Sequence, residues 1–312
     1  MTNQLNNSVK GADHHFFYLL YPPEPFSFQA VLGYLSRSSK ECMFAVTGGQ
    51  VTRLVPVGDE HILVRLSGAE DGSIRIDFAG DAPLPEAHVR EAVASYVWEW
   101  FDLERDLKPF YDMAEGNPLL QNAIEKHYGL RIIGIHQLFE ALCWGVMGQQ
   151  INLAFAYTLK KKFVETFGES VEWEGQSYWI FPEPSRIAGL SVEDLTPLQL
   201  TGKKSEYLIG IASLMDSGQL SKEKLLALGE LQAIEKELVG IRGIGPWTAN
   251  YVLMRCLRIP TAFPIADVGL HNAIKHVMNL ENKPTLQQIR EFSAPWGEWL
   301  SYSTFYLWRM ID

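Results

Sequence analysis

The run Leu238-Val239-Gly240-Ile241-Arg242-Gly243-Ile244-Gly245-Pro246-Trp247-Thr248-Ala249-Asn250 constrains this chain more than any other stretch. Amphipathic spacing predicts a helix over 231–239 that stops at Gly240, glycine being a common C-terminal stop. Pro246 suits the first position of a second helix, predicted over 246–257. Between them, Gly243 and Gly245 permit positive φ and leave no side chain to block a close ligand. Such a turn presents free backbone N–H groups at a helix N-terminus, a seat for phosphate that needs no lysine. Glycine-rich turns also make ordinary αα-corners. The full LxGIxGIGxxTA pattern between two helices is much narrower than Gly-x-Gly alone.

A second local signal follows. Ala262-Phe263-Pro264-Ile265-Ala266 leads to Asp267, after which Leu270, Ile274 and Val277 fall on one helical face over 267–278. Aspartate is a favoured N-cap, and the positive end of a helix favours its anion.

The rest of the chain reads as two unequal parts. Short β-rich runs at 16–20, 42–46, 51–55, 62–66 and 74–78 are separated by turn residues, with a short helix over 28–35. Beyond residue 85 the spacing turns helical, over 87–110, 136–167, 191–198, 205–217 and 299–310 as well as the hairpin helices. The segment 170–183 reads as a loop or a small β excursion. The expected fold is therefore α+β: a small antiparallel sheet domain over 1–85, then an all-helical body over 86–312.

Charge argues against a nucleic-acid partner at first sight, since the net charge is −10 and phosphate binders are usually basic. The acid is uneven, however: from Leu200 onward about 12 Lys/Arg face about 11 Asp/Glu. Cys42, Cys143 and Cys256 are far apart and form no ligand set. That pattern argues against a zinc site or an iron–sulfur cluster and fits a reducing cytosol. No run approaches the ~20 apolar residues of a membrane span, and the N-terminal stretch lacks a secretory pattern, so a cytoplasmic protein is expected, nucleoid-associated if bacterial.

The hairpin followed by Asp267 resembles the helix-hairpin-helix DNA glycosylase superfamily, which joins this hairpin to a Gly/Pro-rich loop and a catalytic aspartate. The resemblance implies a two-lobed helical body, with a hairpin lobe near 135–250, a second lobe from 86–134 plus 251–312, and the active cleft between them. It implies that the N–H groups of Gly243, Gly245 and Thr248 grip a phosphate of double-stranded DNA. It also implies a structural cation on the carbonyls of Val239, Ile241 and Gly243, with no cofactor for catalysis. Asp267 would be the catalytic carboxylate, a fixed anion beside the oxocarbenium-like sugar that also orients or deprotonates water.

Two departures narrow the branch. Bifunctional members carry a nucleophilic lysine where this chain has Trp247, which cannot form a Schiff base. Members with a cluster have four C-terminal cysteines, and none follows Cys256 here. The remaining branch, the 3-methyladenine DNA glycosylase II type, is similar over Leu138-Phe139-Glu140 to Gly148-Gln149-Gln150-Ile151-Asn152, over 200–208, and at Tyr21-Pro22-Pro23 and Leu32-Gly33-Tyr34-Leu35. The implied activity is monofunctional hydrolysis of alkylated purines from DNA by a monomer. Trp247, Tyr251 and Trp299 match the aromatic pocket, which would draw in a cationic base by cation–π attraction, and Tyr34 would close it. Trp98, Trp100, Trp144 and Trp308 read as core. Gln150 matches the wedge that fills the gap behind a flipped nucleotide. Leu300 replaces an arginine usual in the family. The competing readings are a non-catalytic hairpin DNA-binding protein, a glycosylase for oxidised or deaminated bases, and a helical scaffold without DNA contact.

Overall fold

A computed structural model describes residues 9–311. Six strands form one antiparallel sheet: β1 (Gly11–Asp13), β2 (Phe17–Leu20), β3 (Ala45–Thr47), β4 (Gln50–Val57), β5 (Glu60–Gly68) and β6 (Ile74–Phe78), in the order β1-β2-β6-β5-β4-β3. The alternation Ile74-Arg75-Ile76 puts two isoleucines inside, as a half-buried strand requires. β1 was not expected, because Gly11-Ala12-Asp13 carries no β-forming side chain; its pairing with β2 makes it a strand. The helix Phe28–Leu35 starts at Ser27, whose hydroxyl accepts from the Ala30 amide, and buries Val31, Leu32, Tyr34 and Leu35.

The helical part departs from the expected spans where turns interrupt apolar spacing. The span 87–110 divides into Ala87–Trp100 and a separate helix Lys108–Ala114. The span 136–167 divides into Leu138–Met147 and Leu153–Phe167, broken at Gly148–Ile151. Helices at Gln121–His127, Pro184–Ala188, Lys222–Leu226 and Leu286–Ser293 are too short or too polar to stand out by periodicity. The excursion at 170–183 is a β-hairpin, β7 (Glu169–Trp173) and β8 (Gln176–Ile180).

One core runs across the expected boundary at residue 85. It joins Leu20, Val51, Val55, Leu66 and Ile76 of the sheet to Val97, Trp100, Leu142, Val252 and Phe305 of the helices. β4 explains how, since it is buried on both faces. Val51 and Val55 meet the helices, whereas Leu54 joins Leu63, Tyr178 and Ile180 under the β7–β8 hairpin. A second cluster unites Ala114, Leu119 and Leu120 with Leu270, Ile274, Ile289, Trp296 and Leu307. Residues from both sides of the hairpin lobe in sequence thus share one small core, and the helix following Asp267 rests on it.

Candidate active site

The hairpin helices are Leu231–Val239 and Pro246–Arg255. In the turn between them only Gly243 uses positive φ, at 96°. A Cβ there would lie 2.3 Å from the Tyr207 ring, so glycine is required both by backbone and by space. Gly245 corrects the expectation for it: its φ is −95°, open to any residue. No atom lies within 4 Å of a Cβ built there, so the turn is open on that side. The backbone N–H groups of Gly243, Gly245 and Thr248 donate to no other described residue. The Ile241 carbonyl accepts from the Ile244 amide and the Gly243 carbonyl from Gln149. Each oxygen has a second lone pair, so a cation remains compatible with both.

Asp267 is buried as the N-cap of the helix Val268–Val277. Its Oδ1 accepts from the Leu270 amide at 2.6 Å and from the Trp308 indole Nε1 at 2.7 Å. Its Oδ2 accepts from the Trp247 indole Nε1 at 2.7 Å. A carboxylate offers about four acceptor positions, so one remains for water or a substrate. Gly269 makes the Trp308 contact possible: a Cβ there would sit 2.9 Å from Oδ1 and 3.3 Å from the indole. The preceding loop is anchored by Asn250, whose carbonyl oxygen accepts from the Phe263 amide while its amide donates to Glu235. Ser301 adds a bond to the Ala262 carbonyl, and His271 bonds the Ile265 carbonyl at 2.8 Å.

Of the aromatic residues predicted for the pocket, Trp247 and Tyr251 are stacked with ring centroids 5.6 Å apart. Trp299 is elsewhere. It packs on Phe110 and Tyr302, and Trp308, read from sequence as core, takes the place beside the carboxylate and lies 6.3 Å from Tyr251. Tyr34 continues this wall through Phe305, with centroids 4.8 Å apart. Behind Tyr251 lies a cavity of about 60 Å³, lined by Tyr34, Arg37, Tyr157, Tyr251 and Arg255 among others. Asp267 does not line it, and Tyr34 and Tyr251 are common to the cavity and this aromatic wall. Burial pushes the Tyr251 phenol well above its usual range, so it stays protonated, and its oxygen accepts from Arg255 at 3.2 Å.

Gln150 sits in the loop after Leu138–Met147, exposed and left-handed at φ 57°, a conformation unusual for a side-chain-bearing residue. Sequence reasoning did not single out the two residues that hold this loop. Gln149 donates to the Gly243 carbonyl at 2.9 Å, tying the loop to the hairpin turn. Lys204 donates to the carbonyls of Met147 and Gln149 at 2.7 and 2.8 Å, and burial lowers its pKa. Close approach of the two helices depends on Gly145, where a Cβ would meet Thr248 Cγ2 at 2.4 Å. Among the described residues there is no cluster of His, Cys, Asp and Glu fit to hold a metal.

Comparison with known proteins matches residues 143–298 to the HhH-GPD superfamily of base excision DNA repair proteins, and residues 37–142 to the N-terminal domain of 8-oxoguanine DNA glycosylase. A DNA-3-methyladenine glycosylase of Bacillus subtilis (strain 168) is 55% identical over 93% of this chain and 95% of its own length. The solved 3-methyladenine DNA-glycosylase from Archaeoglobus fulgidus superposes with a TM-score of 0.77 at 22% identity, covering 93% of this chain and 97% of that one. The apo 8-oxoguanine glycosylase/lyase of Clostridium acetobutylicum gives 0.73 at 18% identity, covering 96% and 98%. Both chemistries share the fold, so fold alone does not choose between them.

Proposed function

The chain belongs to the HhH-GPD superfamily of base excision DNA repair proteins and is a DNA glycosylase, and we propose that it is a monofunctional one that releases alkylated purines from double-stranded DNA. The observation that carries the proposal is the held carboxylate: Asp267 has both oxygens fixed by the indoles of Trp247 and Trp308 at the N-terminus of a helix. Cleavage of an N-glycosidic bond builds positive charge on the sugar. A fixed anion in a water-poor setting stabilises that charge without reorganising, and the remaining acceptor position on Asp267 can hold the attacking water. Alkylation at purine N3 or N7 makes the base cationic, so it leaves without a dedicated acid. The stacked Trp247 and Tyr251 rings favour such a cation over neutral bases. Trp247 cannot form a Schiff base, which supports hydrolysis without strand cleavage.

The remaining parts follow the same reading. The free N–H groups of the hairpin turn seat a DNA phosphate with the help of a cation on the carbonyls of Val239, Ile241 and Gly243, so binding does not rest on net charge. Gln150 fills the space of the flipped nucleotide. No helix of the described residues is long and apolar enough to cross a membrane. The same reading has the protein act on DNA as a cytoplasmic monomer. The test is single-turnover release of methylpurines from methylated duplex DNA by the wild type and by Asp267→Asn. Release by the wild type, with a loss of several orders of magnitude in the variant and binding of abasic-site DNA retained, is the expected result. DNA binding without release by the wild type would instead favour a binding module.

A further inference from the structure

The loop that carries Gln150 is held, one residue earlier, from two directions. The side-chain amide of Gln149 donates to the Gly243 carbonyl at 2.9 Å and also reaches Thr248 Oγ1 at 3.4 Å. Both partners belong to the hairpin residues proposed to seat a phosphate. From the other side, Lys204 donates to the main-chain oxygens of Met147 and Gln149 at 2.7 and 2.8 Å. Met147 ends its helix, so its carbonyl has no partner further along that helix, and a cation is favoured there. Lys204 belongs to a third element, the helix Gly202–Asp216, whose Tyr207 ring closes on Gly243. Gln150 itself is exposed, and its φ of 57° is costly for a residue with a side chain. Such a conformation persists only where the surroundings enforce it, and strain of this kind gathers at functional positions.

We infer that Gln149 and Lys204 are positioning residues, a latch that joins the hairpin turn and the Gln150 loop into one unit, so that seating a phosphate on the turn also aims Gln150 behind the flipped nucleotide. The inference rests on the proposed base flipping with Gln150 as wedge. Its physical content is registration: once the turn is fixed on the DNA backbone, every group rigidly joined to the turn is placed relative to the duplex. Without the two side chains, Gln150 would relax to commoner φ values, and each insertion would bear the entropy of ordering the loop. The turn does not need them to keep its shape. Gly243 holds positive φ against the Tyr207 ring, and the Ile244 amide donates to the Ile241 carbonyl at 3.0 Å. Loss of either side chain therefore separates two properties, sparing the grip on DNA while impairing nucleotide flipping.

The test uses a duplex with one 2′-fluorinated 7-methylguanine nucleotide, which resists cleavage, and 2-aminopurine as its neighbour, whose fluorescence rises when the stack opens. Gln149→Met and Lys204→Met keep the length of each side chain and remove its donors. At saturating protein, each is expected to lower the flipping equilibrium about tenfold, equivalent to ~1.4 kcal/mol. Affinity for undamaged duplex and its salt dependence should stay within about twofold of wild type. Because both side chains hold residue 149, the double variant should fall no more than about twofold below the worse single. An unchanged equilibrium in either single variant overturns the latch. So does a double loss equal to the product of the single losses, or a loss of duplex affinity as large as the loss of flipping. Should Lys204→Met not fold, Gln149→Met decides alone. Gln150→Ala in the same assay tests the wedge separately. Unchanged flipping in that variant rejects the wedge and the latch with it, whereas reduced flipping there but not in Gln149→Met rejects the latch alone. A wild type that binds this duplex without a rise in fluorescence rejects flipping itself, and the latch as well.

Discussion

Trp308 donates its indole N–H to Oδ1 of Asp267 at 2.7 Å, joining residues 41 positions apart in the chain. With Trp247 on the other oxygen, the two indoles fix the plane of the carboxylate and leave it little freedom to rotate. A hydrogen bond to a charged group is worth ~1.5–3 kcal/mol. Trp308→Phe should therefore slow single-turnover base release by ~10-fold or more, while abasic-site DNA is still bound. Release within twofold of wild type would mean that the indole fills space and does not hold the carboxylate.

Gly269 gives a sharper trial of the same geometry. In a helix, Gly→Ala ordinarily adds ~0.5–1 kcal/mol of stability. Here the new Cβ would press on Asp267 Oδ1 at 2.9 Å and on the Trp308 indole at 3.3 Å. The contact outweighs the propensity: Gly269→Ala should melt no higher than wild type and lose activity as Trp308→Phe does. A variant that is more stable and fully active would refute the close approach.

Lys160 lies buried between Glu140 and Glu41. Burial opposes its charge, but the two carboxylates together hold its pKa above the ordinary lysine range. Lys160→Met would leave two carboxylates buried without their cation. Breaking a buried pair in this way costs ~3–5 kcal/mol, which for a chain of this size is a fall of roughly 10 °C in melting temperature. Scanning calorimetry at pH 7 measures it directly, and a fall under ~3 °C would contradict the burial.

Acid should act through Glu99. Burial raises the pKa of this carboxyl, but His136, Arg258 and Lys222 surround it and hold it well below the usual range. A carboxylate with a depressed folded-state pKa contributes fully above its unfolded value of ~4.3. Its contribution is lost as pH falls toward the folded value, because the unfolded chain then binds the extra proton. Glu99→Gln should thus lower the melting temperature at pH 7 and flatten the decline between roughly pH 5 and pH 3. Parallel melting curves for variant and wild type would show that the cluster adds no stability.

Local signals carried far in this sequence, and distant ones did not. The hairpin was legible because its turn chemistry is written into adjacent residues: Gly243 at positive φ, Pro246 opening a helix, Asp267 capping another. The choice between Trp299 and Trp308 was not. Both stand at the ends of one apolar helix, and which of them meets Asp267 depends on how that helix is set. Gly297, at φ 54° and ψ −120°, bends the chain just before it and leaves Trp299 against Phe110. A glycine in the first turn after Asp267 was the one readable hint that a bulky neighbour lies close. The roles of Gln149 and Lys204 were equally hidden, since each acts through backbone oxygens that no side-chain pattern announces.

The β7–β8 hairpin has a consequence for how the chain is made. Arg65 of β5 stacks on Trp173 and bonds Glu174, a residue 109 positions later, and the apolar side chains of Leu54 and Leu63 are covered by Tyr178 and Ile180. During synthesis the sheet therefore emerges with one face bare and stays so until another hundred residues have followed. That interval, rather than the finished enzyme, is when an exposed apolar face invites aggregation.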